Sequence, residues 1–330
     1  MLSGTAGSSK SDPSAPPEGP ARPARRVLRL GITLALLALL AFAVADPREV
    51  LDAIAGMSIP ALGVALLLAT GDRVLMAYKW QRLLRARGVP LPLGLAIRAY
   101  FASTFAGLFL PVTVGADAIR VVGIRRFGVY DVTASIVVER TLGAVAMFSV
   151  SLLSCTLLAY ALTDPSLGSI TGVLVVAAVV CAAAFPVSLW VATRVAARKA
   201  GASTALGRVA SAYAAYGRHP QALVVFYLLS IVETFLPTLT AWVVARGLGF
   251  DLPLWIFVAT LPIALSVARL PISLGGFGVQ EASFVYLAGL LGVGASDALA
   301  TMLVADAVLL ITLLPAAFDV TVLGTWRTAR

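Results

Sequence analysis

Long apolar runs with almost no charge dominate this chain and restrict what it can fold into. We place them at Val27–Ala45, Pro60–Tyr78, Ile136–Tyr160, Ser169–Val195, Ala222–Val244 and Ala295–Leu323. Each is long enough to cross a hydrocarbon core, which takes about 20 helical residues. Only 12% of the residues are charged, too few to cover the surface of a soluble protein of this length. The pattern predicts an all-α polytopic membrane protein with about six transmembrane helices.

Two further regions fit poorly as plain spans, because both break their apolar runs in the same way. The first, Leu91–Arg126, contains LPVTVGAD from Leu110, and the second, Leu252–Leu291, contains LPISLGGFGVQE from Leu270. Proline and glycine interrupt helices. Non-helical backbone at membrane depth is tolerated only inside protein or beside water. We therefore predict two re-entrant hairpins with these motifs at their tips.

The distribution of Lys and Arg predicts an orientation, because cytoplasmic loops carry the excess of these residues. With a cytoplasmic N-terminus, the outer segments carry only Arg48 and Arg246. This requires the first hairpin to enter from the cytoplasm and the second from outside. The order span–hairpin–span then occurs twice in opposite orientation, an inverted pseudo-repeat typical of secondary transporters. Residues 1–26 are predicted to be a disordered cytoplasmic tail, 27–323 the transmembrane domain, and 324–330 a cytoplasmic tail.

Composition and motifs argue against several function classes. The net charge is +9, but the basic residues lie at the ends of apolar segments, so no nucleic-acid partner is expected. Cys155 and Cys181 lie inside apolar runs and His219 is the single histidine, so neither a disulfide nor a metal site is expected. Because the sequence has no phosphate-binding loop, dinucleotide fingerprint or Ser/His/Asp set, we expect no cofactor and no ATP hydrolysis.

Charged residues near the two breaks are the candidate site, because an ionisable residue in a span costs roughly 2.5–3.5 kcal/mol and needs a reason. Asp117 and Arg120 are three positions apart and would share a helix face. Glu139 and Arg140 are adjacent, so each should have a different partner. We predict that the substrate path includes Pro111, Gly115, Asp117, Arg120, Glu139, Arg140, Arg269, Pro271, Gly275, Gly276 and Glu281.

Other polar and aromatic residues receive separate predictions. Glu233 and Asp306 lie inside apolar runs and are candidates for proton transfer or ion pairing. Lys79 is interpreted as a cytoplasmic topology signal and Trp80 as an aromatic anchor at the membrane interface. The arginines near the breaks, together with half-helix N-termini, would bind an anionic group such as a phosphate.

Four sequence segments resemble one known family. They are YKWQRLLRARG after the second span, FLPVTVGADAIR at the first break, VVERTLG in the next span, and LPISLGGFGVQEASF followed by LLGV at the second break. The chain resembles the lysylphosphatidylglycerol synthase transmembrane region, or flippase-like domain, family over almost its whole length. The first break departs slightly from the family pattern, with Gly115-Ala116-Asp117 where relatives often carry Gly-Gly-Asp.

The resemblance implies a lipid-handling domain in a bacterial inner membrane. In multidomain relatives such a domain moves aminoacylated phospholipid between leaflets beside a soluble domain that makes the lipid. Since this chain shows no such soluble domain, we do not expect lipid aminoacylation by it. The implied partners are membrane lipids with anionic or polar head groups and a separate lipid-synthesising enzyme.

Three functions remain open on the sequence. The favoured one is a flippase that moves a polar lipid or lipid-linked precursor between leaflets. The second is a membrane transferase acting on a lipid head group, with Asp46, Glu49 and Asp52 as acid/base or metal-binding candidates. The third is an ion-coupled transporter of a small solute.

Overall fold

Helices make up nearly all of the described structure, a computed structural model that describes residues 52, 55–109, 113–162, 167–197, 204–270, 273 and 276–322. In chain order they are α1 (Ile59–Ala86), α2 (Leu93–Phe109), α3 (Thr113–Gly123), α4 (Val129–Leu162), α5 (Leu167–Ala197), α6 (Ala205–Ala214), α7 (Pro220–Gly247), α8 (Leu254–Ala268), α9 (Val279–Gly289) and α10 (Ala295–Val322). No strand occurs within these ranges. The predicted all-α class is confirmed.

Several of these helices have the length and composition of membrane spans. Among the described residues, α1, α4, α7 and the Ala295–Ala316 part of α10 are long and apolar enough to cross a membrane. Helix α5 covers the predicted Ser169–Val195 span. Large apolar side chains such as Leu67 and Leu153 are exposed on helix exteriors, as surfaces facing lipid tails require. The chain is a multi-pass membrane protein; the predicted first span, Val27–Ala45, and both predicted tails lie outside the described residues.

Helices α1 and α7 form an antiparallel pair that several other helices contact. At one end, the Ser58 amide before α1 donates to the Gly247 carbonyl at 2.8 Å. Near the other end, Lys79 Nζ donates to Ser230 Oγ at 2.9 Å. The low residue numbers of one helix therefore meet the high numbers of the other.

The α1–α7 contact depends on Gly247, at the C-terminal end of α7. A Cβ on Gly247 would lie 2.5 Å from the Ala61 Cβ, closer than packed carbons approach. We expect Gly247→Ala to destabilise the protein by about 1–3 kcal/mol through overpacking. The control is Gly63→Ala on α1, because a Cβ there meets nothing within 4 Å. Heating of the detergent-solubilised protein should show a lower midpoint for Gly247→Ala alone; equal midpoints would contradict the close contact.

The packing of the remaining helices shows a two-fold pattern. Helix α2 contacts α3, and α8 contacts α9, giving a first hairpin (α2–α3) and a second hairpin (α8–α9). The first hairpin packs through α2 on α10, and the second packs through α8 on α4. Helices α1, α2, α3 and α4 correspond to α7, α8, α9 and α10 in that order. When each helix is replaced by its counterpart, the main contacts among these eight helices stay the same. Because the equivalent helices α1 and α7 are antiparallel, the two halves are related by a pseudo-two-fold axis perpendicular to them, as in an inverted repeat.

The two hairpins begin and end at opposite ends of the α1–α7 pair. Leu91 and Ile124, at the two ends of the first hairpin, share a hydrophobic cluster with Leu84. Leu252 and Val293, flanking the second hairpin, share a different cluster with Ala65. Because α1 has 28 residues, it is about 40 Å long, so Ala65 and Leu84 lie toward its opposite ends.

Serine hydroxyls fix the second hairpin to α4. Pro262 lies inside α8 and has no amide hydrogen, so it frees the carbonyl of Val258 four residues earlier. The Ser154 hydroxyl of α4 donates to that carbonyl at 2.6 Å. The Ser151 hydroxyl donates to the Pro262 carbonyl at 2.7 Å. Because these hydrogen bonds satisfy backbone and side-chain groups without water, they suit a helix contact inside a membrane.

Small residues set the distance between the two limbs of each hairpin. A Cβ on Gly107 of α2 would lie 3.2 Å from the Ala116 Cβ of α3. In the second hairpin, a Cβ on Gly276 would lie 3.0 Å from the Ala268 Cβ. Gly276 also has φ +87°, a conformation that L side chains rarely adopt. In each hairpin, the two limbs are therefore in contact through small residues.

Candidate functional site

A buried arginine organises the charged groups of the first hairpin. Arg120 of α3 donates to Glu139 Oε2 of α4 at 2.7 Å and to Asp117 Oδ1 at 2.6 Å. Its side chain is 2% exposed. Because Asp117 and Arg120 lie one helical turn apart, α3 presents both on one face. Arg120 thus joins the return limb of the hairpin to the following long helix.

Aromatic side chains enclose Arg120. Its guanidinium carbon lies 5.0 Å from the Trp80 ring and 4.7 Å from the Tyr100 ring. The Tyr100 hydroxyl donates to Glu139 Oε1 at 2.9 Å, and the Trp80 indole donates to Ser135 Oγ at 3.0 Å. Both Glu139 oxygens are therefore hydrogen-bonded. The two rings exclude water from Arg120, and the carboxylates of Glu139 and Asp117 compensate its charge.

Arg140 forms the accessible side of the same network. Its guanidinium donates to Asp117 at 2.8 Å and 3.1 Å, through Nη2 and Nε. The Arg140 side chain is 40% exposed, whereas that of Asp117 is 17% exposed. Asp117 thus accepts hydrogen bonds from two arginines, the buried Arg120 and the accessible Arg140. An incoming anion could reach Arg140 without disturbing Arg120.

Two ion pairs on the central helices continue the charged region. Arg73 pairs with its neighbour Asp72 on α1, and its Nε donates to Asp72 Oδ2 at 2.9 Å. Lys79 pairs with Glu233 across the α1–α7 contact. Lys79 is 2% exposed, so Glu233 and the Ser230 hydroxyl replace its lost hydration.

The second hairpin brings one more arginine to this region. Arg269, at the C-terminal end of α8, lies within electrostatic range of Glu233, Arg140, Tyr100 and Arg73. It is exposed, and no ion pair joins it to any residue of the described ranges. We use the term charged cluster for Asp72, Arg73, Lys79, Asp117, Arg120, Glu139, Arg140, Glu233 and Arg269. Since five of these nine side chains are cationic and four are anionic, the cluster carries an excess positive charge next to accessible arginines.

Carboxylates dominate the other side of the second hairpin. Glu281 of α9 is fully buried, and its Oε2 accepts from the Gly278 amide at 2.6 Å. That hydrogen bond caps the start of the return limb. Asp306 of α10 interacts with Glu281 and lies 3.5 Å from the Gln280 amide nitrogen. The two pseudo-symmetric halves therefore carry different chemistry.

The structure shows how the predicted residues are arranged. Asp117 and Arg120 share a face, and adjacent Glu139 and Arg140 have different partners, as predicted. Glu233 pairs with a lysine, as its ion-pair prediction allowed. Gly115 lies in α3, whereas the positions outside the described residues are Pro111, Pro271 and Gly275.

Two sequence interpretations were wrong. Trp80 is fully buried under Arg120, so it is no interfacial anchor. Lys79 is equally buried and is no loop charge. The reason is that α1 continues to Ala86, beyond the predicted end of the span at Tyr78, so its last turns pack inside the protein. Arg82 and Arg85 lie on the other face of α1 and are exposed.

Fold and site together define a class: a multi-pass helical membrane protein that holds buried and accessible charges between two helical hairpins. Residues 26–317 match the family model described as the Lysylphosphatidylglycerol synthase TM region. The chain belongs to this family, as its motifs indicated. No curated protein matches it. Family membership makes it a lipid-related membrane protein.

Proposed function

We propose that this protein is a flippase that moves a polar lipid or a lipid-linked precursor between the leaflets of a bacterial inner membrane. An anionic head group, such as a lipid phosphate, would bind at Arg269 and Arg140 while the acyl chains stay in the bilayer. Both hairpins would be re-entrant, with their tips meeting at the head-group path. N- and C-termini would be cytoplasmic.

The observation that carries this proposal is the open arginine at the second hairpin. Arg269 has no ion-pair partner within the described ranges, although Arg140 and Arg73 add positive charge nearby. A cation left unpaired within a membrane protein is costly unless an anion or water compensates it. Guanidinium groups bind phosphate oxygens in two-pronged geometry. A lipid phosphate is therefore the chemistry that this position favours.

The arrangement of the hairpins supports a route between leaflets. Their described ends lie at opposite ends of the α1–α7 pair, so in the proposed arrangement each hairpin would enter from a different side of the membrane. Arg87 and Asp131 form an ion pair at the α1 C-terminal end, near exposed Arg125 and Arg126. This basic end is the cytoplasmic one in the proposed orientation.

The test is a translocation assay with purified protein in liposomes. Labelled lipids, one anionic and one zwitterionic, are placed in the inner leaflet, and an impermeant quencher reports their arrival outside. We expect the protein to accelerate the anionic lipid at least tenfold over protein-free vesicles, because removing even part of the head-group desolvation cost lowers the barrier by more than about 1.4 kcal/mol.

Two other outcomes would overturn the proposal. If neither lipid moves faster than in protein-free vesicles, but a donor group is transferred to a lipid head group, the protein is a transferase. If a small solute is taken up at a rate independent of the lipid supplied, the protein is a solute transporter. Mass spectrometry of the recovered lipids distinguishes the first outcome from translocation.

A further inference from the structure

Two carboxyl groups meet inside the second half of the protein, where α9 packs on α10. Glu281 lies in the first turn of α9, and Asp306 lies near the middle of α10. Their carboxyl groups are close enough to interact through a hydrogen bond. Glu281 has no exposed surface. We call these two residues the carboxyl pair.

Each member of the carboxyl pair has one buried oxygen without a hydrogen-bond donor. These atoms are Glu281 Oε1 and Asp306 Oδ2. The other Glu281 oxygen is occupied by the Gly278 amide, and the other Asp306 oxygen lies 3.5 Å from Gln280. A carboxylate accepts hydrogen bonds but cannot donate one, so two ionised groups would leave both oxygens unsatisfied. A single proton between the groups would supply the missing donor and remove the repulsion between two buried anions.

Within the described ranges, no cation is among the groups that act on Asp306. Glu281 is the charged group that acts on Asp306. On the helices that contact α10, Arg73 pairs with Asp72, Lys79 with Glu233 and Arg246 with Asp251. Arg98 of α2 is not among the groups that act on Asp306. Arg269 of α8 lies in the charged cluster. A proton is therefore the counter-charge that this arrangement requires.

We propose that Glu281 and Asp306 bind a proton whose movement drives lipid translocation. The driving role rests on the proposed function, whereas the proton site itself does not. Proton binding and head-group binding both act on the second hairpin. Arg269 ends the first limb of this hairpin, and Glu281 caps its second limb through the Gly278 amide. The limbs touch where Gly276 meets Ala268. Loss of the proton would leave the pair as two anions facing each other across the α9–α10 contact, and their repulsion would act on the same hairpin that carries the head-group arginine.

Infrared spectroscopy tests the proton site without any lipid substrate. A protonated carboxyl group absorbs at a carbonyl frequency that ionised carboxylates lack. We expect this band in the wild-type protein near neutral pH, and its loss in Asp306→Asn and in Glu281→Gln. The matched control is Asp251→Asn, because that carboxylate is 93% exposed and pairs with Arg246; its removal should leave the band unchanged. Absence of the band from the wild-type protein, or a band that survives both substitutions, would overturn the site.

Transport against a pH gradient tests the coupling. A gradient of about one pH unit is worth about tenfold in an equilibrium constant per proton. With one proton per lipid, the steady-state leaflet ratio of the anionic lipid should shift about tenfold in wild-type liposomes. In Asp306→Asn liposomes the ratio should not respond to the gradient. If wild-type translocation proceeds without any shift, the coupling is wrong; if no lipid moves while the infrared band is present, the proposed function fails and the proton site stands.

Discussion

Replacing Arg120 with Met is expected to cost about 3–5 kcal/mol of stability, the range measured when one partner of a buried ion pair is removed. The substitution leaves Glu139 buried with the Tyr100 hydroxyl as its one remaining side-chain donor among those described. Asp117 keeps Arg140. Heating of the solubilised protein, followed by size-exclusion chromatography of the surviving fraction, measures the loss.

A second substitution separates lost charge compensation from lost packing. In Arg120→Met with Glu139→Gln, the uncompensated carboxylate is gone, so we expect much of the lost stability to return. Arg125→Met serves as the control, because Arg125 is an exposed arginine in the turn after α3. If Arg120→Met and Arg125→Met melt at the same temperature, Arg120 does not hold the first hairpin to α4. If the double variant is no better than the single one, the effect is due to packing.

Local sequence rules predicted the parts of the site that depend on one helix. Three-residue spacing put Asp117 and Arg120 on one face, and adjacency sent Glu139 and Arg140 to different partners. The helices α4, α5, α7 and α10 cover the apolar runs that predicted them. Such features depend on helix periodicity and hydropathy, which the sequence carries directly.

Contacts between distant segments could not be predicted in this way. A lysine and a tryptophan at the end of an apolar run usually mark a membrane interface. Lys79 and Trp80 are buried instead, because α7 and the first hairpin pack over the last turns of α1. The proximity of Glu281 to Asp306 likewise depends on how α9 packs on α10, and no spacing rule encodes it. The matching Leu-Pro motifs were the one signal that linked the two halves.

The accessible arginines should show the opposite behaviour to Arg120. We expect Arg269→Gln to reduce translocation of the anionic lipid by about 10- to 100-fold, because a hydrogen bond to a charged group contributes about 1.5–3 kcal/mol. Arg269 makes no ion pair with the described residues, so its removal leaves no buried carboxylate uncompensated. The melting temperature should therefore change little.

Charge and geometry at Arg269 can be distinguished with matched variants in the same liposome assay. Arg269→Lys keeps the charge but loses the two-pronged guanidinium, so it should retain an intermediate rate. Arg125→Gln removes an arginine at the exposed basic end and should leave the rate unchanged. If the head group binds at the second hairpin, the translocation rate should fall in the order wild type, Arg269→Lys, Arg269→Gln. Equal loss in Arg125→Gln and Arg269→Gln would mean that the basic residues act by general attraction of anionic lipid, and the assignment of Arg269 to the head-group path would be wrong.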